Sequence, residues 1–155
     1  MQIRKEALPD YDTVYHVVQQ AFKQAEHADG NEADLVTALR KGSAFIPELS
    51  LVAEIEGEIV GHILFTKGQI ADNTVLALAP LAVLPIYQGQ GIGAALVNEG
   101  HRIARQLGYD YVIVLGVRII NVLVMSQPAR SVLLHHLKYQ TNTLWRKNSI
   151  PTPKR

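Results

Sequence analysis

From Asp10 to Phe22 apolar residues return every third or fourth position. Val14, Val17, Val18, Ala21 and Phe22 therefore share one face of a helix that Asp10 can cap. Glu32 to Lys41 predicts a second helix with Leu35, Val36 and Leu39 turned inward, after a polar loop from Ala25 to Asn31. Elsewhere the period drops to two or dissolves into short apolar runs. Ile3 opens a short strand, and Leu49 to Ile55 and Ile59 to Thr66 are strands joined by a tight Glu56-Gly57 turn. Thr74 to Leu84 is a long apolar strand interrupted by Pro80. Proline has no N–H to give a ladder, so an edge, a bulge or a splay is expected there. Gly91 to Leu107 is a helix closed by Gly108, and Tyr111 to Leu115 is a buried strand. Strand, glycine-rich turn, helix and strand make a βαβ unit with a parallel pairing, whereas the hairpin before it is antiparallel. The expected fold class is α/β, an α+β mixed sheet with helices packed on it.

A chain of 155 residues is long enough for one domain with a sizeable core. No apolar run is long enough to cross a bilayer, and the opening Met-Gln-Ile-Arg-Lys-Glu has no apolar signal region. These features predict a cytoplasmic protein without a membrane partner. The absence of cysteine excludes disulfides, thiol nucleophiles and cysteine-ligated zinc. The net charge of +1 conceals an asymmetry. Residues 1–116 hold all 14 acids and all 11 glycines with 8 Lys and Arg, a balance of −6. Residues 117–155 hold 7 Lys and Arg and no acid, a balance of +7. The two segments follow different compositional rules.

The chemistry concentrates between Leu81 and Val97, where an apolar strand meets a proline, a glycine-dense turn and an amphipathic helix. Gly89, Gly91 and Gly93 strip side chains from the point where the helix begins. Bare first-turn amides, with the positive end of the helix dipole behind them, suit a phosphate. Gly89-Gln-Gly-Ile-Gly-Ala94 formally fits the dinucleotide fingerprint, with Asp110 about twenty residues on. That fingerprint places its acid at the end of the second strand, and Asp110 precedes its strand. A P-loop is excluded because no Lys-Ser/Thr follows the glycines. A blander alternative is that the glycines merely allow tight helix–strand packing.

Gln88-Gly-Gln-Gly-Ile-Gly93 resembles the Gln/Arg-x-x-Gly-x-Gly/Ala signature of the GNAT N-acetyltransferases. The hairpin Val52-Ala-Glu-Ile-Glu-Gly-Glu-Ile-Val-Gly61 is similar to strands two and three of that family. Glu32 to Gly116 as a whole looks like its branch of bacterial predicted N-acetyltransferases. The resemblance implies acetyl-CoA as co-substrate. Its pyrophosphate would rest on the amides of Gln88, Gly89, Gln90, Gly91, Ile92, Gly93 and Ala94. The pantetheine arm would pair like an added strand with Leu81, Ala82 and Val83, entering at a splay near Pro80 and Pro85. A backbone amide near Leu81 or Ala82 would polarise the thioester carbonyl. An amine would then attack directly, without a covalent enzyme intermediate.

An attacking ammonium must first lose a proton. Many relatives carry a carboxylate on strand four, but Thr74 to Leu84 has no ionisable side chain. Glu32 and Glu54 are the remaining catalytic candidates. Against them stand a helix-start carboxylate for Glu32 and a solvated hairpin residue for Glu54. His62 alternates with apolar neighbours and is expected to be structural. The adjacent His135 and His136 cannot share one face as ligands, so no metal site is expected. Lys23, Arg40 and Lys41 are expected to be solvated.

Residues 117–155 depart from the family. There the strand ending at Gly116 leads to a motif resembling Y-Y-x-R-F-G-Y/F, then P-A and a final hairpin that supplies a tyrosine as general acid. This chain has Val117-Arg-Ile-Ile-Asn-Val-Leu-Val-Met-Ser-Gln-Pro128. Codons for Ile119 to Gln127 can be chosen so that a frame one nucleotide earlier reads Tyr-Tyr-Gln-Arg-Phe-Gly-Tyr-Glu-Pro. A frameshift at or just after Gly116 accounts for this and for the missing acids and glycines. The competing account is a divergent basic tail. The expected organisation is a core with the acetyl-CoA site over 1–116 and a divergent, frameshifted segment over 117–155. Val122-Leu-Val-Met125 still suits a strand, Ala129 to Leu137 a short helix, and Thr141 to Arg155 disorder.

The expected function is acetyl transfer from acetyl-CoA to a primary amine on a small molecule or peptide. A catalytically impaired acyl-CoA-binding protein is the alternative. Nucleic-acid binding by the basic tail is disfavoured, since only Tyr139 and Trp145 could stack on bases. A strand edge left unpaired by a lost hairpin favours a homodimer.

Overall fold

A computed structural model describes residues 1–25, 28, 30–115 and 120–124. Six strands form one sheet in the order β1-β2-β3-β4-β5-β6. They are β1 (Gln2–Lys5), β2 (Phe45–Ile55), β3 (Glu58–Ile70), β4 (Asn73–Val83), β5 (Tyr111–Leu115) and β6 (Ile120–Val124). Every pairing is antiparallel except β4 with β5. The helices are α1 (Tyr11–Phe22), α2 (Glu32–Arg40) and α3 (Ile92–Gln106). The expected α/β mixed sheet is therefore present. The strand expected over Val122 to Met125 overlaps β6, which begins two residues earlier at Ile120 and is described to Val124. The helix and the disorder expected beyond it, and His135 and His136, lie outside the described residues.

Helices cover both faces of the sheet, so β2 and β3 run as nearly unbroken buried stretches rather than alternating. On one face Ile63, Phe65 and Leu76 meet Ile92, Leu96 and Ala104 of α3. On the other, Val52, Leu64 and Ala82 meet Val14 and Val18 of α1 and Ala33, Val36 and Leu39 of α2. Leu35 is only partly buried, and Ala33 takes the inward place beside Val36. Gly100 sets how closely α3 approaches. A Cβ there would lie 2.2 Å from the ring of Phe65. The Glu56-Gly57 turn forms as expected, with φ of 50° and 84°, the pair of positive angles a two-residue hairpin needs.

Asp10 sits at the start of α1 but does not cap it with its side chain. Its carboxylate instead accepts the Ala7 N–H at 2.7 Å and the Arg4 guanidinium at 2.7 and 3.1 Å. A guanidinium supplies two charge-assisted donors, more than a helix end offers, so the tertiary partner prevails. The Arg4 bond holds the Asp10 carboxyl below the usual carboxylate range.

Candidate active site

Pro80 marks the feature on which the site is built. Pairing between β3 and β4 slips between Ile63–Leu81 and Phe65–Leu78, so β4 carries an extra residue there. On the opposite side, β4 pairs with β5 only at Leu76, Ala77 and Leu78. Beyond the bulge no strand covers that side of β4 among the described residues. The interruption expected from Pro80 is thus a bulge on one side and the end of pairing on the other.

Ladder parity decides which groups face the opening. Leu84 N–H donates to Val60 O on β3 at 2.9 Å, so Leu84 and Ala82 direct their backbone groups at β3. Leu81 and Val83, being out of phase, direct their N–H and C=O at the opening. Ala82, grouped with them on sequence, is corrected by this geometry. Its backbone is committed opposite His62, and its side chain packs under α1 and α2.

The glycine turn follows. Pro85–Tyr87 is one 3-10 turn, closed by Tyr87 N–H to Leu84 O and Gln88 N–H to Pro85 O. Gln88, grouped with these amides on sequence, thus uses its own backbone N–H locally. The amides of Gly89, Gln90, Gly91, Ile92, Gly93 and Ala94 carry no hydrogen bond among the described residues, and the helical ladder begins with Ala95 N–H on Gly91 O. Gly89 and Gly91 have φ of 75° and 84°, where an L side chain is strained, yet a Cβ on either would meet nothing within 4 Å. A Cβ at Gly93 would make only ordinary contacts, 3.7 Å from Leu81 and 3.9 Å from Val83. Tight packing does not explain these glycines. They shape a bare, outward turn, and Gly93 seats it against the side chains at the open edge of β4. A phosphate ester whose arm runs back along β4 fits this arrangement.

The two candidate bases differ in setting. Glu54 lies one residue before the end of β2, with β3 between it and β4, and its carboxylate takes the Arg4 guanidinium at 2.9 Å. It is engaged rather than solvated. Glu32 begins α2 and lines a cavity of about 620 Å³ with Gln19, Gln20, Phe22, Lys23 and Ala33.

A buried polar cluster has no counterpart in the sequence reading. Arg40 was expected in solvent, yet its side chain is only 7% exposed and pairs with Glu6, itself 1% exposed. Arg40 also stacks on Tyr11 at 3.9 Å. Ser50 Oγ donates to Glu6 at 2.5 Å, so its only proton is spent. Ser50 must then accept from His62 Nε2, 3.1 Å away. That assigns the Nε2–H tautomer and leaves Nδ1 as a buried atom with no partner among the described residues. Burial, helped by the Arg40 charge, pushes His62 down to about 3 and keeps it neutral, while Glu6 is committed to Arg40. His62 is fully buried within the continuous apolar run of β3, with its Nε2 on Ser50. Residues 6, 40, 50 and 62 lie on separate elements, and no local pattern announces their meeting.

The profile of the acetyltransferase (GNAT) family matches residues 11–123. The chain belongs to the GNAT acetyltransferase family. Among proteins similar to this GNAT chain is the Escherichia coli K12 uncharacterized N-acetyltransferase YjhQ, 47% identical over 89 residues. The match covers 55% of this chain and 49% of YjhQ. The Escherichia coli K12 uncharacterized N-acetyltransferase YhbS is 38% identical over 88 residues, 55% of this chain and 52% of the relative. The chain thus spans about half the length of the curated relatives it matches. Among solved structures, a GNAT acetyltransferase from Brucella melitensis in complex with acetyl-CoA aligns with a TM-score of 0.74 and 31% identity. That alignment covers 81% of this chain and 88% of that one. YhbS in complex with CoA aligns with a TM-score of 0.65 and 30% identity, over 74% and 62% of the two chains.

Proposed function

We propose that this GNAT protein binds acetyl-CoA along the open edge of β4 and transfers the acetyl group to a primary amine. The observation that carries this is the continuity of Leu81 and Val83 with the bare amides of 89–94. The pyrophosphate is held by those amides and the dipole of α3, and the pantetheine arm by Leu81 and Val83. Between Leu81 and Ala82 as oxyanion donors, the Leu81 N–H is the one directed at the opening, so it polarises the thioester carbonyl. The two crystallised relatives with acetyl-CoA or CoA support the same co-substrate. The acceptor enters by the cavity between α1 and α2, where Glu32 is the proposed proton acceptor. Glu54, held by Arg4, takes no part.

A second reading is acyl-CoA binding without turnover. It is favoured by residues 117–155, which hold no acid and no glycine. In this account 1–116 keeps the cofactor half of the domain, while a change of frame near Gly116 removed the family's closing hairpin and its tyrosine. Calorimetry with acetyl-CoA, joined to thiol release over a panel of amines, separates the two. Binding with turnover supports the transferase, and binding without turnover supports the second reading. Absence of binding refutes both. Resequencing the gene tests the frame, and an intact frame with no out-of-frame relative removes that part.

A further inference from the structure

Both carboxamides of the glycine turn bond backward. Gln90 Nε2 donates to Ile86 O at 3.3 Å, and Gln88 Nε2 donates to Val83 O at 2.9 Å. The second contact differs in kind, because the Val83 carbonyl lies on the open edge of β4. That edge offers four polar groups, the N–H and C=O of Leu81 and of Val83. Among the described residues only the Val83 carbonyl has a partner, and the partner is a side-chain amide. Gln88 is exposed, so its carboxamide is free to rotate away.

We infer that the Gln88 carboxamide stands in for an amide of the pantetheine arm and passes to the pyrophosphate when acetyl-CoA binds. This rests on the proposed cofactor site. The ligand amide N–H replaces Gln88 Nε2 on Val83 O, an exchange of like for like with little net gain. Gln88 opens the turn whose amides hold the anion, so its released N–H meets a charged acceptor. A charge-assisted bond is roughly twice as strong as the neutral one it leaves. One side chain thereby couples the two ends of the ligand. An arm without phosphates must displace Gln88 with no compensating bond. An arm with phosphates gives it a better one.

The test compares acetyl-CoA with acetyl-pantetheine, which lacks the phosphates and the nucleotide, by calorimetry and chemical-shift titration. Gln88→Ala should bind acetyl-CoA about tenfold more weakly, having lost a charge-assisted bond. The same variant should bind acetyl-pantetheine about fivefold more tightly, having nothing to displace. Gln88→Glu cannot donate to Val83 O and repels phosphate, so it should share the second effect and exceed the first. The signs must be opposite. Changes in one direction for both probes, or no gain for acetyl-pantetheine, overturn the exchange. Wild-type protein that does not bind acetyl-CoA overturns the cofactor site itself, a different failure. An unchanged melting temperature in each variant is expected for an exposed side chain.

Discussion

Acidification probes the buried histidine directly. In the unfolded chain the His62 imidazole takes a proton below about 6.5, whereas in the folded protein burial and Arg40 hold it neutral down to about 3. Between those values the unfolded state carries the extra proton, so stability falls as the pH falls. Well above 6.5 both states are neutral and His62 contributes no slope. Each unit of separation is worth about 1.36 kcal/mol, so lowering the pH from 6.5 to 4.5 should remove about 2–3 kcal/mol through this residue. That is a large part of the 5–15 kcal/mol typical of a domain. Carboxylates held low, such as Asp10 beside Arg4, lose their contribution only at lower pH. His101, held down by burial and by Arg105, adds a smaller slope of the same sign. The control is therefore His62→Gln, which keeps a donor for Ser50 and cannot titrate. Urea unfolding in half-unit steps from pH 7 to 4.5 gives the slope for each protein, and slopes are compared because the variant has its own baseline. Wild type should lose stability steeply and His62→Gln only shallowly. Equal slopes, or a flat wild type, would refute the neutral, buried imidazole.

The remaining expectations concern single sites. Gly91→Glu places a carboxylate at the bare amides of a turn with φ of 84°. It should abolish acetyl-CoA binding by calorimetry while lowering stability by only about 1 kcal/mol; unchanged affinity removes the phosphate site. Gly100→Ala drives a methyl to 2.2 Å from the fully buried Phe65 ring. It should cost about 1–3 kcal/mol by denaturant unfolding, despite alanine's better helix propensity. Arg40→Ala leaves Glu6 buried without its guanidinium and should cost about 3–5 kcal/mol, with part of that recovered by adding Glu6→Gln. Full additivity of the two would deny their coupling.

Local chemistry made much of this molecule legible. The 3.6-residue pattern located α1 and α2, Glu56-Gly57 located a hairpin, and Gly89 to Gly93 located a bare helix start. Each depends on interactions within a few residues, so each is written in a short stretch of chain. Pro80 announced an interruption in the same way, because a missing N–H is a property of one residue. Its form, a bulge toward β3 and lost pairing toward β5, was set by partners 15 or more positions away.

What only the tertiary structure decided was direction and partnership. The parity that turns Leu81 and Val83 outward and Ala82 inward depends on where the bulge falls in the β3 register. A one-residue slip there would exchange their roles. Asp10 has the residue type of a helix cap, but Arg4 claims its carboxylate. Arg40 has the look of a solvated helix end, yet Glu6, Ser50, His62 and Tyr11 converge on one buried cluster around it. Periodicity reports which side of an element is apolar. It carries no information on which distant polar groups will meet, because burying a charge becomes tolerable only once its partner is in place.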